Sequence, residues 1–349
     1  MKICFIVGAY PTMKCGIGDY TDRLAKELSK YGNEIHVITS KKANNISDSV
    51  IIHNIIDEWN FNSCKKILDE LKKIKPDVVN IQYPSDEYKN NIMINLLPIF
   101  IKRKIKCKVT ITIHEYECYT IKRKIRNYLN FKKVDKIIVV EEEYIDDIKN
   151  IFKNKEIVYI PISSNIPRSN ISQKDFLIQK YNLNGKKIIS YFGFIIPSKG
   201  LDYLLKCISK IENTKLLIIG ELDKNDEYHE SLLKLINKLN IQDKVVITGF
   251  LKEEHDVADL LQISDACVLP FVNGVKKRNG SFLAAYNQRI PVITTHNTYK
   301  DENGIYYAKP NNEEMLLEKM LYVLNNKIEF NRDVLTWDKT AKKYIDCFK

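Results

Sequence analysis

Short runs of β-branched and other apolar residues alternate with longer amphipathic stretches from one end of the chain to the other. Strands separated by helical stretches cannot pair as hairpins. The chain must return through a crossover each time, which makes the strands parallel and puts helices on the sheet faces. In the first half the strand-like runs are Lys2–Val7, Glu34–Ile38, Val50–His53, Asp77–Ile81, Lys108–Ile113, Lys136–Val140 and Ile157–Ile160. Helical spacing fills Gly18–Tyr31, where Leu24, Leu28 and Tyr31 recur along one face, and also Cys64–Ile74 and Tyr144–Phe152.

From Pro161 to Ser172 the periodicity lapses into a stretch rich in Ser, Asn and Pro, which reads as a linker. The alternation then restarts with strands expected at Lys187–Phe192, Lys215–Ile219, Lys244–Thr248, Ala266–Leu269, Pro291–Thr294 and Gly304–Tyr307. Helices are expected at Leu201–Ile211, His229–Leu239 and Gly280–Gln288. A chain of 349 residues exceeds one ordinary core. The fold class is therefore α/β, with two Rossmann-like doubly wound domains over residues 1–165 and 166–335. Residues 336–349 are expected to form a closing helix that returns to the first domain.

Composition excludes several classes. With 44% hydrophobic and 28% charged residues, the chain is not disordered. No run approaches the roughly 20 apolar residues of a membrane span, and MKICFIVGAYPT lacks the long apolar core of a secretion signal. A cytoplasmic location is the expectation. The eight cysteines, Cys4, Cys15, Cys64, Cys107, Cys118, Cys207, Cys267 and Cys347, form no CxxC pair and read as free thiols, several within apolar runs. The net charge of +11 invites nucleic acid as a partner, but no recognition motif or aromatic platform accompanies it.

Ligands of parallel sheets bind at the carboxyl ends of the strands, so the loops there carry the chemistry. The first of interest is CGIGDY (Cys15–Tyr20), where Gly16 and Gly18 let backbone approach a ligand at a helix N-terminus. The second is FGFIIPSKG, where Gly193 closes a strand and Lys199 arrives before a helix, placed to neutralise phosphate oxygens. The third begins with Lys276, Lys277 and Arg278, followed by Asn279, Gly280 and Ser281 at the opening of a helix. Cations beside helix N–H groups suit a diphosphate.

Taken in order, these segments resemble the retaining glycosyltransferases of family 4, which have the GT-B fold of two Rossmann-like domains facing across a cleft. The resemblance also rests on HEY (His114–Tyr116), GE (Gly220–Glu221), GF (Gly249–Phe250), the small-residue helix before PVITT and WDKTAKKY (Trp337–Tyr344). NIQYPSDEY (Asn80–Tyr88) is similar to a subgroup of the family. The resemblance implies that the second domain binds a nucleotide diphosphate sugar and the first a glycan or lipid-linked acceptor. Lys199, Arg278, Asn279 and the N–H groups of Gly280 and Ser281 would hold the donor, with Gly193 and Glu221 beside it. His114, Gly16 and Gly18 would lie near the transferred sugar, Glu115 is the nearest acidic candidate, and Tyr83 falls on the acceptor side. Two glutamates usual in the family are replaced by Lys276 and Ala284, and the usual Arg before the Lys–Gly pair falls near Phe194.

The chain has no Asp-x-Asp triplet, so metal independence is expected, with the nucleotide sugar as substrate and no cofactor. A nucleotide-sugar 2-epimerase and a non-catalytic sugar-nucleotide-binding relative are the alternatives. Residues 1–170 carry 29 Lys and Arg against 21 Asp and Glu, a net +8. Their stretch Lys122–Lys133 interleaves Lys122, Arg123, Lys124 and Arg126 with Ile125, Tyr128, Leu129 and Phe131, a composition that suits the surface of an anionic membrane. Peripheral attachment to the inner face, and a role in cell-surface polysaccharide or glycolipid synthesis, are the corresponding expectations.

Overall fold

The computed structural model describes the chain except for residues 14, 45, 117–119, 172, 332 and 333; Cys118 therefore lies outside the described residues. Two compact units divide it, Met1–Ser163 with Leu335–Lys349, and Ser164–Val334.

The first unit opens with β1 (Lys2–Ile6), α1 (Gly16–Ser29), β2 (Glu34–Ser40), β3 (Ile51–Ile56) and α2 (Phe61–Ile74). It continues with β4 (Val78–Tyr83), α3 (Met93–Lys104), β5 (Lys108–Ile113), α4 (Ile121–Lys132), β6 (Lys136–Val139), α5 (Tyr144–Lys149) and β7 (Glu156–Tyr159). The strands form one parallel sheet in the order β3-β2-β1-β4-β5-β6-β7.

In the second unit α6 (Lys174–Lys180) precedes β8 (Lys187–Phe192), α7 (Leu201–Ser209), β9 (Thr214–Ile219), α8 (Glu227–Lys238) and β10 (Val245–Ile247). Then come α9 (Glu254–Gln262), β11 (Ala266–Leu269), α10 (Gly280–Asn287), β12 (Val292–Thr295), β13 (Ile305–Ala308) and α11 (Glu313–Asn325). Its parallel sheet runs β10-β9-β8-β11-β12-β13. The last helix, α12 (Trp337–Phe348), belongs to the first unit.

Side chains of the first sheet divide by the two-residue period of a strand. Ile3 and Phe5 pack with Leu24 and Leu28 of α1 and with Ala341, Tyr344 and Phe348 of α12, while Cys4 and Ile6 face the core of α2 and α3. Helices on both faces explain why these strands read as continuous apolar runs. The second unit closes around one cluster that includes Leu204, Leu217, Val268, Ile293 and Met320.

Local chemistry sets the helix starts. Asn60 and Ser63 form a reciprocal capping box at α2, and the Thr120 and Thr336 hydroxyls accept backbone N–H bonds at α4 and α12. Helix α1 begins at Gly16 rather than Gly18, because the chain is extended only as far as Cys15. Helix α3 fills a stretch with no clear apolar period and carries Pro98 inside it. Among the described cysteines all seven are free thiols; Cys15 and Cys107 are half-buried and the rest buried.

Candidate functional site

In both sheets the strand order runs third, second, first, then fourth onward. Chain direction across the sheet therefore reverses between β1 and β4, and between β8 and β11. Loops leaving the carboxyl ends of strands at such a reversal splay apart and leave room for a ligand.

In the second unit those loops follow β8 and β11. The Val272 N–H donates to the Ser198 carbonyl at 3.1 Å, which stitches the two together. Gly200 has φ +67°, and a Cβ there would lie 2.2 Å from the Pro270 carbonyl oxygen. A glycine is needed on both counts. The result is a recess of about 250 Å³ lined by Ser198, Lys199, Phe271, Lys276, Arg278 and Asn279, among others. Lys199 is half-buried, with Nζ 4.6 Å from the centre of the Phe271 ring. Burial pushes its ammonium below the usual 10.5, since a cation loses hydration there.

The third loop ends in a cap. Asn279 Oδ1 accepts from the Ser281 N–H at 3.2 Å and from the Ser281 hydroxyl at 2.8 Å, fixing the first turn of α10. An incoming phosphate oxygen at the Ser281 N–H would have to replace that bond. Gly193, with φ +130°, brings the end of β8 against this turn; a Cβ on it would meet Ser281 Oγ at 3.1 Å. Gly280 is exposed and a Cβ on it would meet nothing within 4 Å. The structure thus gathers Lys199, Arg278 and Asn279 around one recess, with Gly193, Gly280 and Ser281 at its helix terminus. Glu221 lies exposed beyond β9 and is not part of that lining. Lys276 opens onto the recess, whereas Ala284 is buried in the core.

In the first unit the reversal lies between the loops after β1 and β4. A Cβ on Gly18 would come within 2.7 Å of the Ala9 carbonyl, so this glycine lets α1 pack on the loop; one on Gly16 would meet nothing within 4 Å. His114, just past β5, is buried, and its Nε2 lies 2.6 Å from Gln82 Oε1. The ring of Tyr20 stands edge-on to it, with centroids 4.8 Å apart. Glu115 is half-buried. Tyr83 accepts from Asn95 Nδ2 at 3.2 Å and stacks on Tyr88.

Behind His114 runs a buried polar chain. Gln82 Nε2 donates to Asn80 Oδ1 at 2.5 Å, and Thr112 Oγ1 donates to the same oxygen at 3.2 Å. Tyr344 of α12 lies 3.1 Å from Thr112 Oγ1 and accepts from the Tyr20 hydroxyl at 2.9 Å.

Residues 2–141 match the family described as glycosyl transferase 4-like, and residues 186–326 match glycosyl transferases group 1. A glycosyltransferase from Rickettsia africae superposes with a TM-score of 0.74 at 18% identity, over 99% of this chain and 94% of that one. The chain belongs to the GT-B glycosyltransferases. This glycosyltransferase is also 22% identical to an uncharacterised glycosyltransferase of Methanocaldococcus jannaschii, over 100% of this chain and 98% of the relative. Anabaena HepE in complex with UDP shares its fold at a TM-score of 0.69 and 12% identity, over 100% of this chain and 95% of HepE.

In the glycosyltransferase's first unit, α4 buries Asn127, Asn130 and Phe131. Its exposed apolar row is Ile121, Ile125 and Tyr128, spaced four and three apart, while Leu129 is half-buried. Lys122, Arg123 and Lys124 are exposed, but Arg126 turns back to donate to Asn90 Oδ1 at 2.9 Å. Among the described residues no helix is long and apolar enough to cross a membrane.

Sequence reasoning missed Gln82, Asn80, Thr112 and Tyr344. The signal was present as Asn80 and Gln82, two residues apart in a buried strand, beside Thr110 and Thr112 in its neighbour. Polar groups tolerated at such positions must be hydrogen-bonded.

Proposed function

We propose that this glycosyltransferase takes a sugar from a nucleoside diphosphate sugar and transfers it, with retention and without a metal ion, to a glycan or lipid-linked acceptor. The observation that carries this reading is the recess of Lys199, Arg278 and Asn279 at the reversal of the second sheet. HepE, which shares the fold, is described in complex with UDP, and that supports a uridine or related nucleotide as the donor's leaving part.

In the reaction the bond between the sugar's anomeric carbon and the phosphate oxygen breaks, and its electron pair stays on the diphosphate. An acceptor hydroxyl forms the new bond on the same face and gives its proton to the departing phosphate oxygen. Lys199, Arg278 and the N-terminus of α10 stabilise the charge that accumulates on the leaving group. Fixed cations do the neutralising that a divalent ion performs in other transferases. His114 stands near the transferred sugar, and Glu115 is the acidic side chain beside it.

The acceptor is presented by the first domain. Its exposed Ile121–Ile125–Tyr128 row, flanked by Lys122, Arg123 and Lys124, supports attachment to an anionic membrane on the cytoplasmic side, and with it a lipid-linked acceptor of cell-surface polysaccharide or glycolipid synthesis.

Turnover tests the reading. The purified chain is incubated with UDP-, GDP- and ADP-sugars, with and without excess chelator, and release of the nucleoside diphosphate and the anomeric configuration of the product are followed by NMR. One donor class should be consumed at equal rate in chelator, with its configuration retained. Consumption of none, inversion, or loss of activity in chelator each contradicts part of the proposal.

A further inference from the structure

The polar chain behind His114 has a direction. Asn80 Nδ2 donates to the Thr110 and Thr112 hydroxyls at 2.8 and 3.1 Å, which turns Asn80 Oδ1 toward Gln82. Gln82 must then present Nε2 to that oxygen, and so presents Oε1 to His114. An amide oxygen only accepts, so His114 Nε2 carries a proton. On the other side, Thr112 gives its proton to Asn80 Oδ1 and receives one from Tyr344, which receives one from Tyr20. Asn80 Oδ1 is the acceptor on which both arms converge. Asn80, Gln82, Thr112 and Tyr344 are all fully buried, so each bond left unmade would cost more than it would in water.

We propose that Gln82 is the positioning residue of His114, holding it in the Nε2–H form, and that Tyr344 of the last helix orders Gln82 through Thr112 and Asn80. The inference rests on the reading that places His114 near the transferred sugar. A buried imidazole held in one tautomer spends no energy choosing it during reaction. It also gives α12 a chemical task in the first unit beyond packing on α1. Burial raises the phenol pKa values of Tyr20 and Tyr344, so both stay protonated donors across the working range.

The test needs no sugar nucleotide. Long-range proton–nitrogen NMR of the full-length chain, with His114→Asn to identify the resonances, reads which ring nitrogen of His114 carries hydrogen. The wild type should show Nε2–H, Gln82→Leu should mix the two tautomers, and Tyr344→Phe should do so to a lesser extent. Gln82→Glu keeps an acceptor toward His114 while losing the donor to Asn80 Oδ1, and its negative charge should preserve Nε2–H and raise the His114 pKa. An Nδ1–H wild type, in which both amides are turned over, overturns the proposal, as does a tautomer indifferent to Gln82→Leu. A spectrum unchanged by Tyr344→Phe removes the role of α12. If Gln82→Leu does not fold, the wild-type tautomer and the Gln82→Glu titration still decide. With any sugar nucleotide that is consumed, the pH–rate profile of Gln82→Glu should move with the His114 pKa. Coincident profiles defeat the positioning role while leaving the functional reading intact; consumption of no sugar nucleotide defeats that reading while the tautomer result stands.

Discussion

Lys199 lays its ammonium group 4.6 Å from the centre of the Phe271 ring, so the loop after β8 is clamped to a residue just beyond β11. This contact half-buries the cation while leaving it on the wall of the recess. A cation over an aromatic face is attracted by the ring quadrupole, which fixes its position without neutralising it. Substitution of Lys199 by Ala should therefore leave the fold intact and act on the reaction. Losing one such donor typically costs about 2.7–4 kcal/mol, a 10²–10³-fold fall in turnover. Arg278→Ala should behave similarly, and steady-state kinetics on both folded variants will check this.

The buried ammonium also predicts how donor binding varies with pH. Lys199 releases its proton below the usual 10.5 in the free protein, and a bound diphosphate raises that pKa again. Affinity is then fully present below the lowered pKa and falls as pH rises through it, with proton uptake on binding in that window. Calorimetry in buffers of different ionisation enthalpy should show this uptake at alkaline pH. Lys199→Arg, which cannot lose its proton, should abolish it.

Two pairs of glycines separate structural need from functional room. Gly200→Ala should strongly destabilise the second unit, since φ is +67° and the new Cβ would strike the Pro270 carbonyl. Gly280→Ala should melt near the wild type because its Cβ meets nothing within 4 Å. Likewise Gly18→Ala should lower the melting temperature, whereas Gly16→Ala should keep it and lose activity if the sugar lies against that residue. Thermal melts read beside turnover distinguish these outcomes.

Helix α4 predicts salt-sensitive attachment to anionic vesicles. Each exposed cation near such a surface contributes about 1 kcal/mol, and the Ile121–Ile125–Tyr128 row adds apolar contact. Changing Lys122, Arg123 and Lys124 together to Gln should release the protein in a vesicle sedimentation assay. Arg126→Gln alone should have less effect on binding, because its guanidinium is engaged by Asn90. Equal binding to neutral and anionic vesicles would contradict the attachment.

The fold was legible where burial on both sheet faces forces a continuous apolar run. Lys108–Ile113, Lys187–Phe192 and Ala266–Leu269 have the same bounds in sequence and structure. Helix α3 was not legible, because it is buried on more than one side and so lacks a polar stripe to set its period. At the site, Lys199 and the Arg278–Ser281 turn were legible as cations and small residues at helix starts after strands. Helical spacing groups Leu129 with Ile125 and Tyr128 on one side of α4, yet Leu129 is half-buried while Ile121, one turn before Ile125, is exposed. Of the Gln82–Asn80–Thr112–Tyr344 chain, only the polar residues within the two strands left a signal in the sequence; the link to Tyr344 did not. That link joins Thr112 of β5 to Tyr344 of α12, 232 residues apart in sequence, and only the fold brings them within hydrogen-bond distance.

The central claim is that the recess of Lys199, Arg278 and Asn279 holds a nucleoside diphosphate. Isothermal titration of UDP, GDP and ADP into the wild type, Lys199→Ala and Arg278→Ala measures this most directly. The account predicts one-to-one binding of one of the three nucleotides to the wild type in the presence of chelator, weakened at least about tenfold by either substitution, as expected for loss of a charge-assisted hydrogen bond. Wild-type affinity retained by both variants, or no binding of any of the three nucleotides, would contradict it.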